Sequence, residues 1–363
     1  MAEEKIEVEQ EGKKQLHKRY EFLDQFRGLI LIFLIISVIT WPLSGNFPGT
    51  EIPIGPPLLN HGFQYYDGYP ALITIIDIGQ QIFMFILGYV AYIAFTSRMK
   101  KRGAGAAWKH GIIRVAVLYG LAFLDDGLIG GLLFGDGIPW DEVLWYGTLA
   151  NLAIGTFAAY LLAYLIPKSA DKRLYVCIGI LIVHAILYAT PLFEHKGLGG
   201  VGTIPFPFNS LNHAAIAIAG TCFSQWYKME PDDPNVGFKK RILPVATIFI
   251  IAFYCLDWIQ PAEHHDATTS LAFFAIAASG FLIAVFYGFE KMNFRIPVLS
   301  EMGKNMLLLF ILAFIFDVAI GLLDRSFLVA NPLITMLLIG VLPIVIEAGI
   351  ALLLARYDIK IKI

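Results

Sequence analysis

Arg98-Met99-Lys100-Lys101-Arg102 stands between two apolar runs, 72–96 and 110–130, and its reading decides the fold. Each run has about the 20 residues that a helix needs to cross the hydrocarbon core of a bilayer. Clustered cations are held back on the cytoplasmic side of a membrane, so the chain is expected to turn there between two spans. The pattern repeats on both sides of the cluster. Further runs fall near 27–44, 144–166, 173–191, 209–227, 242–260, 270–288, 302–323 and 331–355. Together they predict an all-α fold, a polytopic membrane helical bundle of about ten transmembrane helices.

The placement of charge gives the orientation. If the N-terminus is cytoplasmic and ten spans alternate, 25 of the 27 Lys and Arg residues fall in cytoplasmic segments, and only Lys196 and Arg325 fall outside. An inverted chain, or one with an odd number of spans, would scramble that sorting. Both termini are therefore expected in the cytoplasm. The domain organisation that follows is a cytoplasmic tail at 1–20, a transmembrane domain at 21–357 and a second cytoplasmic tail at 358–363.

Composition points the same way. Of 363 residues, 57% are hydrophobic and 15% charged, against roughly 25% charged in soluble domains. Lipid is expected to cover such a surface. The net charge of −2 leaves no basic surplus for nucleic acid. Cys177, Cys222 and Cys255 lie in apolar runs without CxxC spacing, which argues against a zinc site or a disulfide framework. Residues 1–25 are polar and no small-residue cleavage site follows the first apolar run, so that run is expected to stay as the first helix. The expected location is integral and multi-pass, in the plasma membrane of a prokaryote.

Polar groups at membrane depth need a partner or a role. Asp24 and Arg27 are three apart and share a helix face. Arg27 is either a snorkelling cation paired with Asp24 or a fork for an anionic group arriving from the cytoplasm. His61, in the first outer loop, is either solvated or a proton acceptor for an attacking amine or hydroxyl. Thr74, Asp77 and Gln81 make a polar stripe on an apolar helix, facing another helix or a cavity. Gly303-Lys304-Asn305 opens the ninth span, where Lys304 either follows the positive-inside bias or joins the helix N-terminus in an anion site. Glu263-His264-His265-Asp266 carries metal-ligand residue types, but adjacent residues seldom hold one ion, so no metal is expected, and a solvated loop or a substrate contact next to the outer mouth is the better reading. Asn209, Asn212 and His213 start the sixth span at the outer side.

Leu23-Asp24-x-Phe26-Arg27-Gly28, His61 followed by Gly68, Thr74-x-x-Asp77, Gly88, Tyr146-Gly147-Thr148-Leu149, the segment Phe208 to Gly220, and Gly303-x-Asn305-x-Leu307 together resemble the heparan-alpha-glucosaminide N-acetyltransferase family of transmembrane acyltransferases. Where that family has a Gln-Arg pair, Ala150 and Asn151 stand here. The resemblance implies acetyl-CoA as co-substrate, bound from the cytoplasm through Arg27, Lys304 and Asn305. It implies His61 as general base, or else as a transient acyl carrier, with Asp77 setting its tautomer. The implied partners are acetyl-CoA, a glycan or amino-sugar acceptor and the lipid bilayer, with a homodimer as an option. A multi-pass transporter or flippase, or a non-catalytic membrane protein on the same fold, is the alternative.

Overall fold

The computed structural model describes residues 20–44, 73, 75–133, 137–140, 142–190, 208–229, 233–264, 267–321, 323 and 331–359. His61, Gly68 and Thr74 lie outside the described residues, as do His265, Asp266 and most of both expected tails. Every described element is helical. The main helices are α1 (Glu21–Ser44), α2 (Ile75–Ala122), α3 (Thr148–Leu165), α4 (Ala170–Tyr188), α5 (Phe208–Tyr227), α6 (Leu243–Asp257), α7 (Thr269–Lys291), α8 (Pro297–Lys304), α9 (Met306–Gly321) and α10 (Leu342–Arg356). Helices thus stand at each of the apolar runs.

α2 covers two of those runs. It is broken at Gly103, whose φ of 83° and ψ of 169° no helix contains. Only glycine adopts that φ at little steric cost, and it follows directly on the Arg98–Arg102 cluster. The chain reverses there because a residue without a Cβ allows it. The ninth run is also divided. α8 and α9 are bent by 88° across Asn305. Lys304 therefore closes α8 rather than opening α9, and a cation in a last turn suits the negative end of the helix dipole. Pro244 and Pro343 fall in the first turns of α6 and α10, where a missing N–H costs little, and each follows a short π-helical stretch.

Among the described residues, α3, α7 and the stretch Leu333–Arg356 are each long and apolar enough to cross a membrane, and α8 with α9 would add a fourth as a broken span. The burial pattern suits lipid. α4 buries Arg173, Cys177, Leu181 and His184, spaced four, four and three apart on one face, and exposes Tyr175, Val176, Ile182, Val183 and Ile186. Its two polar side chains within the apolar run, Arg173 and His184, face protein while large apolar ones face out, the reverse of a soluble helix. α5 lies at the centre, against α2, α3, α4 and α7. Because protein surrounds it, small residues replace large apolar ones: Ala215, Ala217, Ala219, Cys222 and Ser224 are all buried.

Glycines set the closest helix approaches. A Cβ at Gly28 would collide with the main chain of Leu299, and one at Gly303 with the main chain of Asp24, so α1 and α8 touch backbone to backbone. The same reciprocity joins α2 and α5, with Gly88 on Ala217 and Gly220 on Phe85. All four of these glycines belong to motif blocks of the sequence.

Arg173 ties α4 to the bundle. It is fully buried. Its guanidinium donates to Thr221 Oγ1 (2.9 Å), Thr221 O (3.1 Å), Ile166 O (2.6 Å) and Gln225 Oε1 (2.7 Å), and stacks 4.5 Å from the ring of Tyr92. All of these partners are neutral acceptors or a π-face, so hydrogen bonding rather than a counter-ion offsets its desolvation.

Candidate active site

Two polar regions form, at opposite ends of α7. Its C-terminal end meets the start of α1. Phe22 packs on Tyr287 and Tyr227, and the Phe22 N–H donates to Glu290 Oε2 at 3.1 Å. Its N-terminal end meets the start of α2 through His264. α7 has 23 residues, so the regions lie roughly 33 Å apart at 1.5 Å per residue. That is close to the thickness of a bilayer core, about 30 Å.

The first region is built on the α1–α8 crossing. Arg27 Nη1 lies 3.4 Å from Asp24 Oδ1, and Lys304 Nζ donates to Glu301 Oε1 at 2.6 Å. Arg27 adjoins Gly28 and Lys304 adjoins Gly303, so the glycine contacts bring the two expected anion contacts to one crossing. Asn305 is buried at the bend, its N–H donating to Met302 O (3.1 Å) and its carbonyl accepting from Leu309 N (3.1 Å). The Gln25 side-chain oxygen accepts from Ile296 N at 2.8 Å and fixes the entry to α8. Aromatic rings close this end. Tyr20 meets Tyr227 edge-on at 5.3 Å, and the Lys228 ammonium lies 5.6 Å from the Tyr20 ring. Burial and, after it, Glu290 raise the Tyr20 pKa above its usual value of 10.0.

The second region gathers around the loop between α6 and α7. Asp77 is buried in the first turn of α2, where the positive end of the helix dipole suits a carboxylate. His264 Nδ1 lies 3.1 Å from the main-chain oxygen of Asp77 and 3.4 Å from Gln81 Nε2. His264 thus meets the Gln81 side chain and the Asp77 main chain one turn before it. The loop folds on itself. Glu263 N donates to Thr268 Oγ1 (2.9 Å), Thr268 N to Glu263 O (3.1 Å), and Ala262 N to Asp257 Oδ1 (2.7 Å). Ala267 has a φ of 44°, and its carbonyl accepts from Asn212 Nδ2 at 2.6 Å. That bond from α5 helps hold a conformation that alanine rarely adopts. His184 Nδ1 lies 2.9 Å from Thr269 Oγ1, which joins α4 to the same cluster. Nearby on α5, Ser210 donates to Asn151 Oδ1 at 2.9 Å, and Asn151 donates in turn to Tyr146 O (3.0 Å) and Gly147 O (3.1 Å).

Asp257, Gln260 and His184 were not singled out by the sequence. A lone His inside the apolar run of α4 is the signal that marks His184. Asp257 and Gln260 end an apolar run and carry no such signal. Among the described residues no group of three His, Cys, Asp or Glu side chains could hold a metal ion.

A helical bundle with apolar outward faces and a polar region at each end of α7 has the character of an integral membrane protein. Residues 20–352 match the family model described as "Acyltransferase domain", and the chain belongs to this family of membrane acyltransferases. No curated protein matches the chain.

Proposed function

We propose that the protein transfers an acetyl group from cytoplasmic acetyl-CoA to an amino sugar or other glycan acceptor on the far side of the membrane, in the manner of heparan-alpha-glucosaminide N-acetyltransferases. Ten spans with both termini cytoplasmic carry the reaction across the plasma membrane of a prokaryote. Acetyl-CoA docks at the α1–α8 crossing, where Arg27 and Lys304 meet its phosphates and Asn305 lines the bend. The acceptor binds at the loop around His264. In the transfer the acceptor amine or hydroxyl attacks the thioester carbonyl, a histidine takes its proton, and the C–S bond breaks to release the CoA thiolate. His61 is the loop histidine that the family pattern puts in this role, with Asp77 orienting it.

The observation that supports this reading is the separation of the two polar regions by about the length of α7, in a chain of acyltransferase family. Acetyl-CoA at a hundredfold excess over its dissociation constant should stabilise the purified protein by about 2.7 kcal/mol. Arg27→Ala should weaken that shift, and His61→Ala should abolish transfer while sparing it. A protein that acetyl-CoA does not stabilise at any concentration would sink the proposal.

The 88° bend between α8 and α9 favours one other reading, a transporter or flippase, because broken helices line substrate sites in transporters. Uptake of an unmodified solute by vesicles holding the protein, with no acetyl label transferred, would decide for it.

A further inference from the structure

We infer that Asn212, Asp257 and Gln260 form a saccharide subsite beside the loop between α6 and α7, one that takes a sugar through its hydroxyl or amine donors and turns acidic sugars away. The inference rests on the acyl-transfer reading above and names side chains that select the acceptor.

The loop brings the three residues together. Thr268 N donates to Glu263 O at 3.1 Å and Glu263 N to Thr268 Oγ1 at 2.9 Å, so the loop is pinched with Ala262 and Ala267 on its two sides. One residue holds each side. Ala262 N donates to Asp257 Oδ1 at 2.7 Å, and Asn212 Nδ2 donates to the Ala267 carbonyl at 2.6 Å. Gln260 N donates to Leu256 O at 2.8 Å, which carries the last turn of α6 on to Gln260. Asp257 and Gln260, three residues apart, then share the covered face of that turn. Trp258 and Ile259 between them are 70% and 82% exposed, so the site lies just beneath the surface of the bundle.

Each of the three side chains is more than nine-tenths buried. Asn212 Oδ1, Asp257 Oδ2 and both Oε1 and Nε2 of Gln260 have no hydrogen-bond partner among the described residues. The Asn212 amide cannot be turned over, because the Ala267 carbonyl needs a donor. The open set is therefore three acceptors and one donor. Buried polar atoms left open cost free energy until a partner arrives. The partner that fits brings more donors than acceptors, as the hydroxyl and amine groups of a sugar can. A uronate carboxylate brings only acceptors and meets the Asp257 carboxyl. The floor suits a sugar as well. Phe253, one turn before Asp257, packs with Ala262 and Leu271 and with Ile78 of α2, an apolar surface for the C–H face of a ring.

The test uses the full chain in detergent, with methyl glucosaminide, methyl glucoside and methyl glucuronide as probes and acetyl-CoA as the control. The first two should raise the melting temperature of the wild type and the glucuronide should not. Asp257→Asn keeps an acceptor for Ala262 N and turns one open acceptor into a donor. It should weaken glucosaminide binding about tenfold or more, let the glucuronide bind, and keep the acetyl-CoA shift, which reports that the variant is folded. Gln260→Leu should weaken both glucosaminide and glucoside binding, again with the acetyl-CoA shift kept. Three results overturn the inference: no stabilisation of the wild type by glucosaminide or glucoside, equal binding of glucuronide, or variants that lose melting temperature with saccharide binding unchanged, which makes the open atoms a water site serving the fold. If the saccharides bind as expected but acetyl-CoA does not stabilise the wild type, the acyl-transfer reading falls and the subsite stands.

Discussion

The α-carbon of Gly303 packs against the main-chain carbonyl of Asp24, and one turn along α1 Gly28 packs in the same way against Leu299. Helix–helix attraction in lipid comes from such close packing, since lipid tails are as apolar as leucine. A side chain at either glycine must push the α1 and α8 backbones apart. Gly303→Ala and Gly28→Ala should each destabilise by about 1–3 kcal/mol. Both should weaken acetyl-CoA binding, because Arg27 and Lys304 are carried on the two backbones that separate. Denaturation in detergent and an acetyl-CoA thermal shift measure the two effects.

Arg173 has a separate role, as a clamp between α4 and α5. Arg173→Met keeps most of the volume but strips hydrogen bonds from Thr221, Ile166 and Gln225. We expect a loss of at least ~3 kcal/mol, from several buried acceptors left unpaired at about 1–3 kcal/mol each. Arg173→Lys should recover only part of it, since one ammonium cannot reproduce the planar fork. Unfolding midpoints of the three proteins test the order wild type, Lys, Met.

Glu347 offers the opposite case. It is fully buried on α10 between Pro343 and Ala351, on the face that packs toward α8 and α9. Neither carboxyl oxygen has a hydrogen-bond partner among the described residues. Its burial costs free energy that nothing described repays. Glu347→Met should raise stability by ~1–3 kcal/mol. A drop in the melting temperature would show that the carboxyl is used.

The aromatic end of the bundle should weaken at alkaline pH. Tyr20 has its pKa raised by burial and then by Glu290, so the folded state favours the neutral phenol. The stability it contributes is present below the unfolded value, about 10, and is lost as pH rises through the higher folded value. Tyr20→Phe should match wild type at pH 8 and be the more stable protein above pH ~10. Melting curves across that window give the comparison.

Much of the architecture was legible in one dimension. The apolar runs of 27–44, 144–166, 173–191, 209–227, 242–260 and 270–288 all contain helices, because the length and composition that suit lipid are local properties of the chain. The motif glycines are visible in one dimension, but their contact with main chain on another helix is not. Lys304 was assigned to the start of a span because apolar content does not mark a bend, and only the 88° turn at Asn305 makes it the end of α8.

By itself, then, the sequence determined a lipid-covered helical protein and the places where its helices lie, since hydropathy and charge act residue by residue. Tertiary structure alone decided which polar groups meet: Arg173 with Thr221, Asn212 with the Ala267 carbonyl, His264 with Asp77 and Gln81. The physical reason is that a membrane helix is apolar on most of its surface, so a polar stripe marks the side that faces protein but not the partner that side meets. The partners are chosen by packing between segments as far apart in the chain as Gln81 and His264, 183 residues.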